Sequence, residues 1–135
     1  AAALKDGRAM DKWRQMISAQ GGDPDAALPV AREHQVVLAP ADGVLTQLDA
    51  LQVGVASWRL GAGRARKEDP VQFGAGITLH AQLGQAVKAG QPLMTLHTDE
   101  TERFDRAIEA LEGSFKIEAA ATPAPRKILL DRIDG

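Results

Sequence analysis

The chain has 135 residues, a net charge of -2 and 44% hydrophobic residues, which is typical of a globular protein with a single packed core. It contains no cysteine, so disulfides, cysteine-ligated zinc and thiol catalysis are excluded, and this composition also fits a cytoplasmic protein. Interspersed charges, only 4% aromatic residues and the lack of a long apolar run disfavour nucleic-acid and membrane partners.

The first segment has the pattern of an amphipathic helix over residues 4–20. Met10, Trp13 and Ile17 fall on one face at helical spacing. A Gly-Gly-Asp-Pro sequence then ends the helix, since glycine is favoured at the C-terminal cap and proline just beyond it. The composition of residues 25–33 is typical of a linker.

Two strands and a helix follow the linker. Strands are predicted at residues 36–39 and 44–48, separated by a Pro-Ala-Asp-Gly turn, and we expect them to pair as a hairpin or bent pair. Asp49 can cap a helix over residues 50–60. Because apolar side chains, including Trp58, cover most sides of this helix, we expect it to be buried.

The second half of the chain contains more strands and one helix. Asp99 and Glu102 have the spacing of a capping box at the start of that helix, which ends at Gly113. The other predicted segments are a charged loop at 64–70, strands at 77–81, 92–96 and 115–119, a Pro/Ala spacer at 120–125, and a last strand or tail at 128–133. The resulting order β-β-α-β-β-α-β predicts an α+β fold.

The glycine-rich sequence at residues 61–64 is the first candidate for a binding site. It follows a helix, whereas phosphate-binding glycine loops join a strand to a helix. We therefore interpret it as a helix C-terminal turn in which glycine supplies positive φ. Arg64, Lys67 and Asp69 form either an anion site or, as we favour, a solvated or ion-paired loop.

Other catalytic patterns are weak. His34, His80 and His97 lack the spacing of metal ligands, although His80 and His97 approach each other if their strands pair. None of the three serines lies in a nucleophile elbow, and the acidic residues at 99–102 fit a helix N-terminus without any catalysis. The sequence therefore predicts no catalytic, cofactor-binding or metal-binding residue.

Residues 84–93, Gly-Gln-Ala-Val-Lys-Ala-Gly-Gln-Pro-Leu, resemble the bend of lipoyl and biotinyl carrier domains. Lys88 lies inside this bend and lacks the neighbours of an attachment lysine. The resemblance leaves a non-catalytic carrier or interaction module as an alternative function.

Four segments together resemble the thymidine and pyrimidine-nucleoside phosphorylase family in order and spacing. The most specific is Leu-Gly-Ala-Gly-Arg at residues 60–64, followed by Lys67, Asp69 and Gly-Ile at 76–77. The other three segments are residues 6–24, residues 39–45 with the Ala-Pro-Ala-Asp-Gly-Val-Leu sequence, and residues 84–93 with Leu-His at 96–97. The resemblance covers most of residues 6–97.

The resemblance implies a homodimeric pentosyltransferase of nucleoside salvage. Such enzymes cleave (deoxy)pyrimidine nucleosides with phosphate to give the free base and (deoxy)ribose 1-phosphate. The family's phosphate loop and catalytic residues belong to segments outside this chain, so none of them can be assigned here. We expect the chain alone to be inactive and to need no cofactor, with phosphate bound elsewhere as a co-substrate.

The resemblance also divides the chain into four parts. Residues 1–24 correspond to a helix of the preceding α/β domain, 25–33 to a linker, 34–119 to an α/β-hammerhead-like C-terminal domain, and 120–135 to a tail or extra strand. Since Ala1 rather than Met opens the chain, we expect it to be a piece of a longer protein. The remainder of that protein is the expected partner of the apolar stripe in the first helix.

Overall fold

The computed structural model describes residues 2–124. The helices in this part of the chain are α1 (Ala2–Lys5), α2 (Arg8–Ala19), α3 (Ala50–Ser57) and α4 (Arg103–Leu111), with a π-helical turn at Trp58–Ala62. The strands are β1 (Glu33–Leu38), β2 (Gly43–Leu48), β3 (Gly76–Leu79), β4 (Ala86–Val87), β5 (Pro92–Thr98) and β6 (Phe115–Glu118). The predicted α+β class is confirmed, and the strand or tail predicted at 128–133 lies outside the described residues.

The strands form two antiparallel three-stranded sheets. The first sheet has the order β1-β5-β3 and the second has the order β4-β2-β6. The predicted pairing of the first two strands is therefore wrong, because β1 pairs with β5 and β2 with β4 and β6. Residues 39–42 carry the chain from one sheet to the other, and the Ala39 amide still donates to the Gln91 carbonyl at 2.8 Å.

Gly43 permits the close approach of β2 and β6 at this crossing. A Cβ atom on Gly43 would lie 2.7 Å from Cγ2 of Ile117 and 2.9 Å from the carbonyl carbon of Glu118. A larger residue would push β6 away from β2. The sequence signal read as a hairpin turn is therefore a crossing between sheets.

Two apolar clusters form the core. In the first, α3, α4 and the π-helical turn pack over the first sheet, burying Ala56, Leu60, Met94, Leu96, Phe104, Ala107 and Leu111. The second lies along the second sheet and buries Ala39, Leu45, Ala81, Val87 and Leu93. Leu48 and Phe115 pack against both clusters and so join them.

The expectation that the helix at residues 50–60 is buried is only partly correct. Ala56 and Leu60 are fully buried, whereas Leu51 is 77% and Trp58 is 41% exposed. The helix packs with one side on α4 and the first sheet, and its opposite apolar side forms surface. Apolar residues on several sides did not distinguish a buried helix from one with an apolar outer face.

The caps of α3 and α4 differ. The Asp49 carboxylate accepts from the Gln52 amide at 2.9 Å, as predicted, while the Gln52 side chain reaches the Glu112 carbonyl instead of completing a capping box. The capping box at Asp99 is wrong. Helix α4 begins at Arg103 with Glu102, not Asp99, at the N-cap position and without a side-chain cap, and the Asp99 carboxylate accepts instead from the Arg32 amide at 3.0 Å.

The first predicted helix is divided in two. Gly7 adopts φ 90°, and the Asp6 carboxylate accepts from the Arg8 amide at 3.2 Å, so α2 starts anew after a turn. Neither α1 nor α2 contains a buried residue. The apolar stripe remains uncovered, with Met10 55% and Trp13 44% exposed.

Candidate functional site

The glycine-rich sequence forms the π-helical turn at the end of α3. Gly61 has φ 111°, a left-handed conformation that favours glycine, so the predicted positive φ is confirmed there. Gly63 instead has an extended backbone, and a Cβ there would lie 2.7 Å from Cδ1 of Trp58, so a larger residue would displace the indole. The turn thus brings the Trp58 indole against the backbone that follows it.

Residues 62–71 form a loop with closely spaced ends, since the Gln72 amide donates to the Gly61 carbonyl at 3.0 Å. Inside this loop the Asp69 carboxylate accepts from the Arg66 amide at 2.8 Å and pairs with its guanidinium at 3.5 Å. Arg64 and Lys67 are exposed and make no ion pair within the described residues. The structure therefore places only Asp69, of the three predicted residues, in an ion pair, and its partner is Arg66.

A cluster of hydrogen bonds fixes the end of the loop, and we call it the Gln72 cluster: Gln72, Thr98 and Glu100 with the neighbouring backbone. Gln72 Oε1 accepts from the Asp99 amide at 2.8 Å, and its Nε2 donates to Glu100 Oε1 at 2.8 Å. The fully buried Thr98 hydroxyl lies 3.1 Å from Gln72 Oε1 and donates to the Leu60 carbonyl at 2.8 Å. The cluster joins the π-helical turn to the junction between β5 and α4.

Arg103 completes the charge balance at this junction. Its Nε donates to Glu100 Oε2 at 2.6 Å. This hydrogen bond is the main reason that the pKa of the Glu100 carboxyl lies below its usual value of 4.5; desolvation opposes the shift, while the charge of Arg103 and the Gln72 hydrogen bond support it. Glu100 is therefore ionised at neutral pH and can accept from both neighbours.

A shallow pocket of about 280 Å³ lies between the loop and α4. It is lined by Trp58, Arg59, Gly63, Ala65, Asp69, Pro70, Arg103 and Arg106. Arg59 donates to the Arg106 carbonyl and to Glu109, each at 2.7 Å, and Arg103 is paired with Glu100. Acidic neighbours thus neutralise two of its three guanidinium groups.

His97 alternates with the buried Leu96 and Thr98 along β5, and its register partner in β1 is His34. His97 Nε2 lies 3.0 Å from the Thr78 hydroxyl, and His80 Nε2 lies 2.7 Å from the Thr95 hydroxyl. Strands β3 and β5 do pair, as the sequence argument required, but each ring bonds a threonine. Within residues 2–124 no group of three or more His, Asp or Glu side chains is arranged to hold a metal ion.

The bend at residues 84–93 is bonded to the crossing between the sheets. The Ala89 amide donates to Asp42 Oδ1 at 2.7 Å, and the Gly90 amide donates to the Ala39 carbonyl at 2.8 Å. Lys88 lies in this turn between β4 and β5, which belong to different sheets. The attachment lysine of a carrier needs the tip of a free hairpin, and this turn is not one.

Comparison with known proteins is decisive for the family. The family model described as the pyrimidine nucleoside phosphorylase C-terminal domain matches residues 44–118, more than half of the chain. The chain belongs to this family. The match contains the π-helical turn, the Gln72 cluster and every buried residue of the two core clusters except Ala39. It agrees with the family that the glycine-rich segment indicated.

Individual relatives extend the match to nearly the whole chain. A thymidine phosphorylase of Mycobacterium tuberculosis is 44% identical over 133 residues, covering 98% of the chain and 31% of the relative. A pyrimidine-nucleoside phosphorylase of Bacillus subtilis is 36% identical over 93% of the chain and 30% of the relative. A thymidine phosphorylase of Homo sapiens is 38% identical over 73% of the chain and 23% of the relative.

The chain thus spans 23% to 31% of the length of these relatives. No helix in the described part is long and apolar enough to cross a membrane. Sequence reasoning found this family but missed the Gln72 cluster, because its members lie 26 to 28 residues apart and no local motif links them.

Proposed function

We propose that the chain is the C-terminal structural domain of a thymidine or pyrimidine-nucleoside phosphorylase. The parent enzyme is a pentosyltransferase of nucleoside salvage, which cleaves (deoxy)pyrimidine nucleosides with phosphate to free base and (deoxy)ribose 1-phosphate. The observation that carries this proposal is the 44% identity over 133 residues to a protein named thymidine phosphorylase. We further propose that the parent is a cytoplasmic homodimer.

The domain alone supplies no phosphorolytic site in this proposal. Phosphorolysis requires a cradle for the attacking phosphate and donors for the charge that develops on the departing base. The basic glycine loop follows a helix C-terminus, whose dipole disfavours an anion. The guanidinium groups of Arg59 and Arg103 in the adjacent pocket are already paired with carboxylates. Phosphate, base and sugar therefore bind to preceding domains, and no cofactor is needed.

In the same proposal, residues 1–24 belong to the preceding α/β domain and 25–33 form the linker to the domain at 34–119. The exposed stripe of α2 supports this division, because a helix with no buried residue in its own chain needs another surface to cover it. Residues 120–135, of which the structure describes 120–124, stay the predicted tail or extra strand. The remainder of the parent chain is the principal partner.

A chimera tests the proposal directly. The chain replaces the matching 133-residue segment of the Mycobacterium tuberculosis thymidine phosphorylase, and thymine release is measured with phosphate and thymidine. We expect activity within about tenfold of the parent, equivalent to 1.4 kcal/mol in the barrier. The matched control carries Leu96→Asp, which places a charge in the first core cluster. A folded chimera without thymine release would contradict the proposal.

The carrier alternative has a separate test. Intact mass is measured after expression with excess biotin or lipoate. A mass increase at Lys88 that is absent from the Lys88→Arg variant would support a carrier, and an unmodified chain is the result that we expect.

A further inference from the structure

The loop at residues 62–71 has almost no apolar anchorage. Every residue from 62 to 71 is exposed or only half-buried, and the loop begins directly after the buried Leu60 and Gly61. Its internal contact is the Arg66–Asp69 turn, and Gly63 packs on the Trp58 ring outside the loop. A segment with few buried apolar contacts opens at a low free energy compared with the core. Polar contacts at its ends must therefore hold it in place.

The Gln72 side chain supplies these contacts. It bridges the Asp99 amide and the Glu100 carboxylate, while its backbone amide closes the loop on the Gly61 carbonyl. Gly61 leaves the space that the Gln72 side chain occupies, because a Cβ at position 61 would lie 2.9 Å from Gln72 Cδ. Thr98 ties the same junction to the Leu60 carbonyl. One amide side chain thus connects the loop, the end of β5 and the start of α4.

The pocket beside Trp58 depends on where the loop lies. Gly63, Ala65, Asp69 and Pro70 of the loop form one wall, and Trp58, Arg59, Arg103 and Arg106 form the other. Moving the loop removes the first wall and exposes the indole together with the guanidinium groups. Arg103 belongs both to the pocket and, through Glu100, to the Gln72 cluster. The position of the loop and the charge pairing in the pocket are therefore linked.

We propose that Gln72 is a latch for loop 62–71: its side chain holds the loop closed, and loss of its hydrogen bonds lets the loop open as one unit, hinged at Gly61 and Gln72, and uncovers the pocket beside Trp58. The latch is separate from the fold of the domain, because both apolar core clusters are built without any residue of the loop. This conformational device goes beyond the structural role proposed above.

Hydrogen exchange of backbone amides tests the latch in the chain itself. In Gln72→Met, which keeps the side-chain length and removes its polar groups, the non-proline amides of residues 62–72 and the Asp99 amide should exchange roughly tenfold faster. Tenfold is the factor for a free-energy loss of about 1.4 kcal/mol. Amides of the two core clusters should keep their rates. Asp69→Ala is the matched control, since it breaks only the internal turn and should affect residues 66–69 alone.

Tryptophan fluorescence gives a second measurement. In a Trp13→Phe background Trp58 is the remaining tryptophan, and its quenching by acrylamide should increase in Gln72→Met but not in Asp69→Ala. Gln72→Glu replaces Gln72→Met in both measurements if the methionine variant does not fold. It keeps the acceptor for the Asp99 amide but places a second carboxylate at Glu100 and should also release the loop. Unchanged loop exchange, or faster exchange throughout both core clusters, would overturn the proposal.

Discussion

Trp58 stands where α3 passes into the π-helical turn, and its ring packs on Gly63 while 41% of the residue remains exposed. Because part of the side chain stays in water, Trp58→Ala should cost about 1–3 kcal/mol of the free energy of unfolding, below the 3–5 kcal/mol of a fully buried aromatic residue that its sequence pattern predicted. Urea titration measures this loss. Leu51→Ala, at 77% exposure, should cost less than about 0.5 kcal/mol.

The comparison needs a fully buried reference. Leu96 is 0% exposed, so Leu96→Ala should cost about 2–5 kcal/mol. The expected order of destabilisation is therefore Leu96, Trp58 and Leu51. A Trp58→Ala loss as large as that of Leu96→Ala would show that the indole is covered in solution.

Glu100 makes the stability of the domain depend on pH. Its pKa is lowered in the folded state, chiefly by the Arg103 hydrogen bond, so the folded state favours the ionised form. The stabilisation is present above the unfolded value of 4.5 and is lost as the pH falls from 4.5 through the lowered pKa. The melting temperature measured from pH 7 to pH 3 should fall over this window in the wild type.

The Glu100→Gln variant isolates this contribution, since it cannot ionise. Its melting temperature should be lower at pH 7 and should fall less between pH 4.5 and the acid limit. Glu68→Gln is the control, because Glu68 is exposed and makes no ion pair within the described residues. Identical pH profiles for the wild type and Glu100→Gln would contradict the role given to this carboxylate.

At the scale of elements, α1 and α2 bury no residue, so the domain should not need them. Removing residues 1–28 should leave a cooperative unfolding transition whose midpoint in urea is nearly unchanged. The truncated chain should also aggregate less, because the exposed stripe of Met10 and Trp13 is lost. Loss of cooperative unfolding would place α2 in the domain's own core.

A close approach at Gly84 fixes the segment that follows β6. Gly84 has φ 85°, its carbonyl accepts from the Ala124 amide at 3.1 Å, and a Cβ would lie 1.9 Å from the Ala124 carbonyl oxygen. Gly84→Ala should therefore cost about 2–4 kcal/mol, from left-handed strain together with displacement of residues 120–124. Urea titration and hydrogen exchange at those residues report the two effects.

Gly90 provides the matched control for this substitution. It has φ 78°, but a Cβ there would meet nothing within 4 Å. Gly90→Ala should cost only the backbone strain of about 1 kcal/mol and leave residues 120–124 unchanged. Equal losses for the two variants would mean that the contact with Ala124 contributes nothing.

At the scale of the whole molecule, local patterns predicted the elements better than their arrangement. The Asp49 cap and the strand at Gly43–Leu48 depend on residues close in sequence, and both are confirmed. The partner of β1 lies about 60 residues away, so the turn beside it suggested the wrong neighbour. The Gln72 cluster was not predicted because its members are also distant in sequence. A loop glutamine acquires these partners only when β5 and α4 are in place.

The family was predicted from a sequence motif and not from catalytic residues. The Leu-Gly-Ala-Gly-Arg segment indicated the phosphorylase family, although its glycines act in backbone geometry and in packing on Trp58 and Gln72. No residue-level chemistry was needed for that identification. The expectation that this domain contains no catalytic residue remains a prediction.

The most direct measurement is calorimetric titration of phosphate and of thymidine into the chain, alongside an assay of thymine release. Because the chain has no anion cradle in this account, neither ligand should give saturable heat at concentrations up to several millimolar. Any binding free energy should therefore be weaker than about -4 kcal/mol. The chain should also release no thymine. Saturable phosphate binding at millimolar affinity or better that disappears in Arg64→Ala would contradict this result and assign part of the active site to loop 62–71.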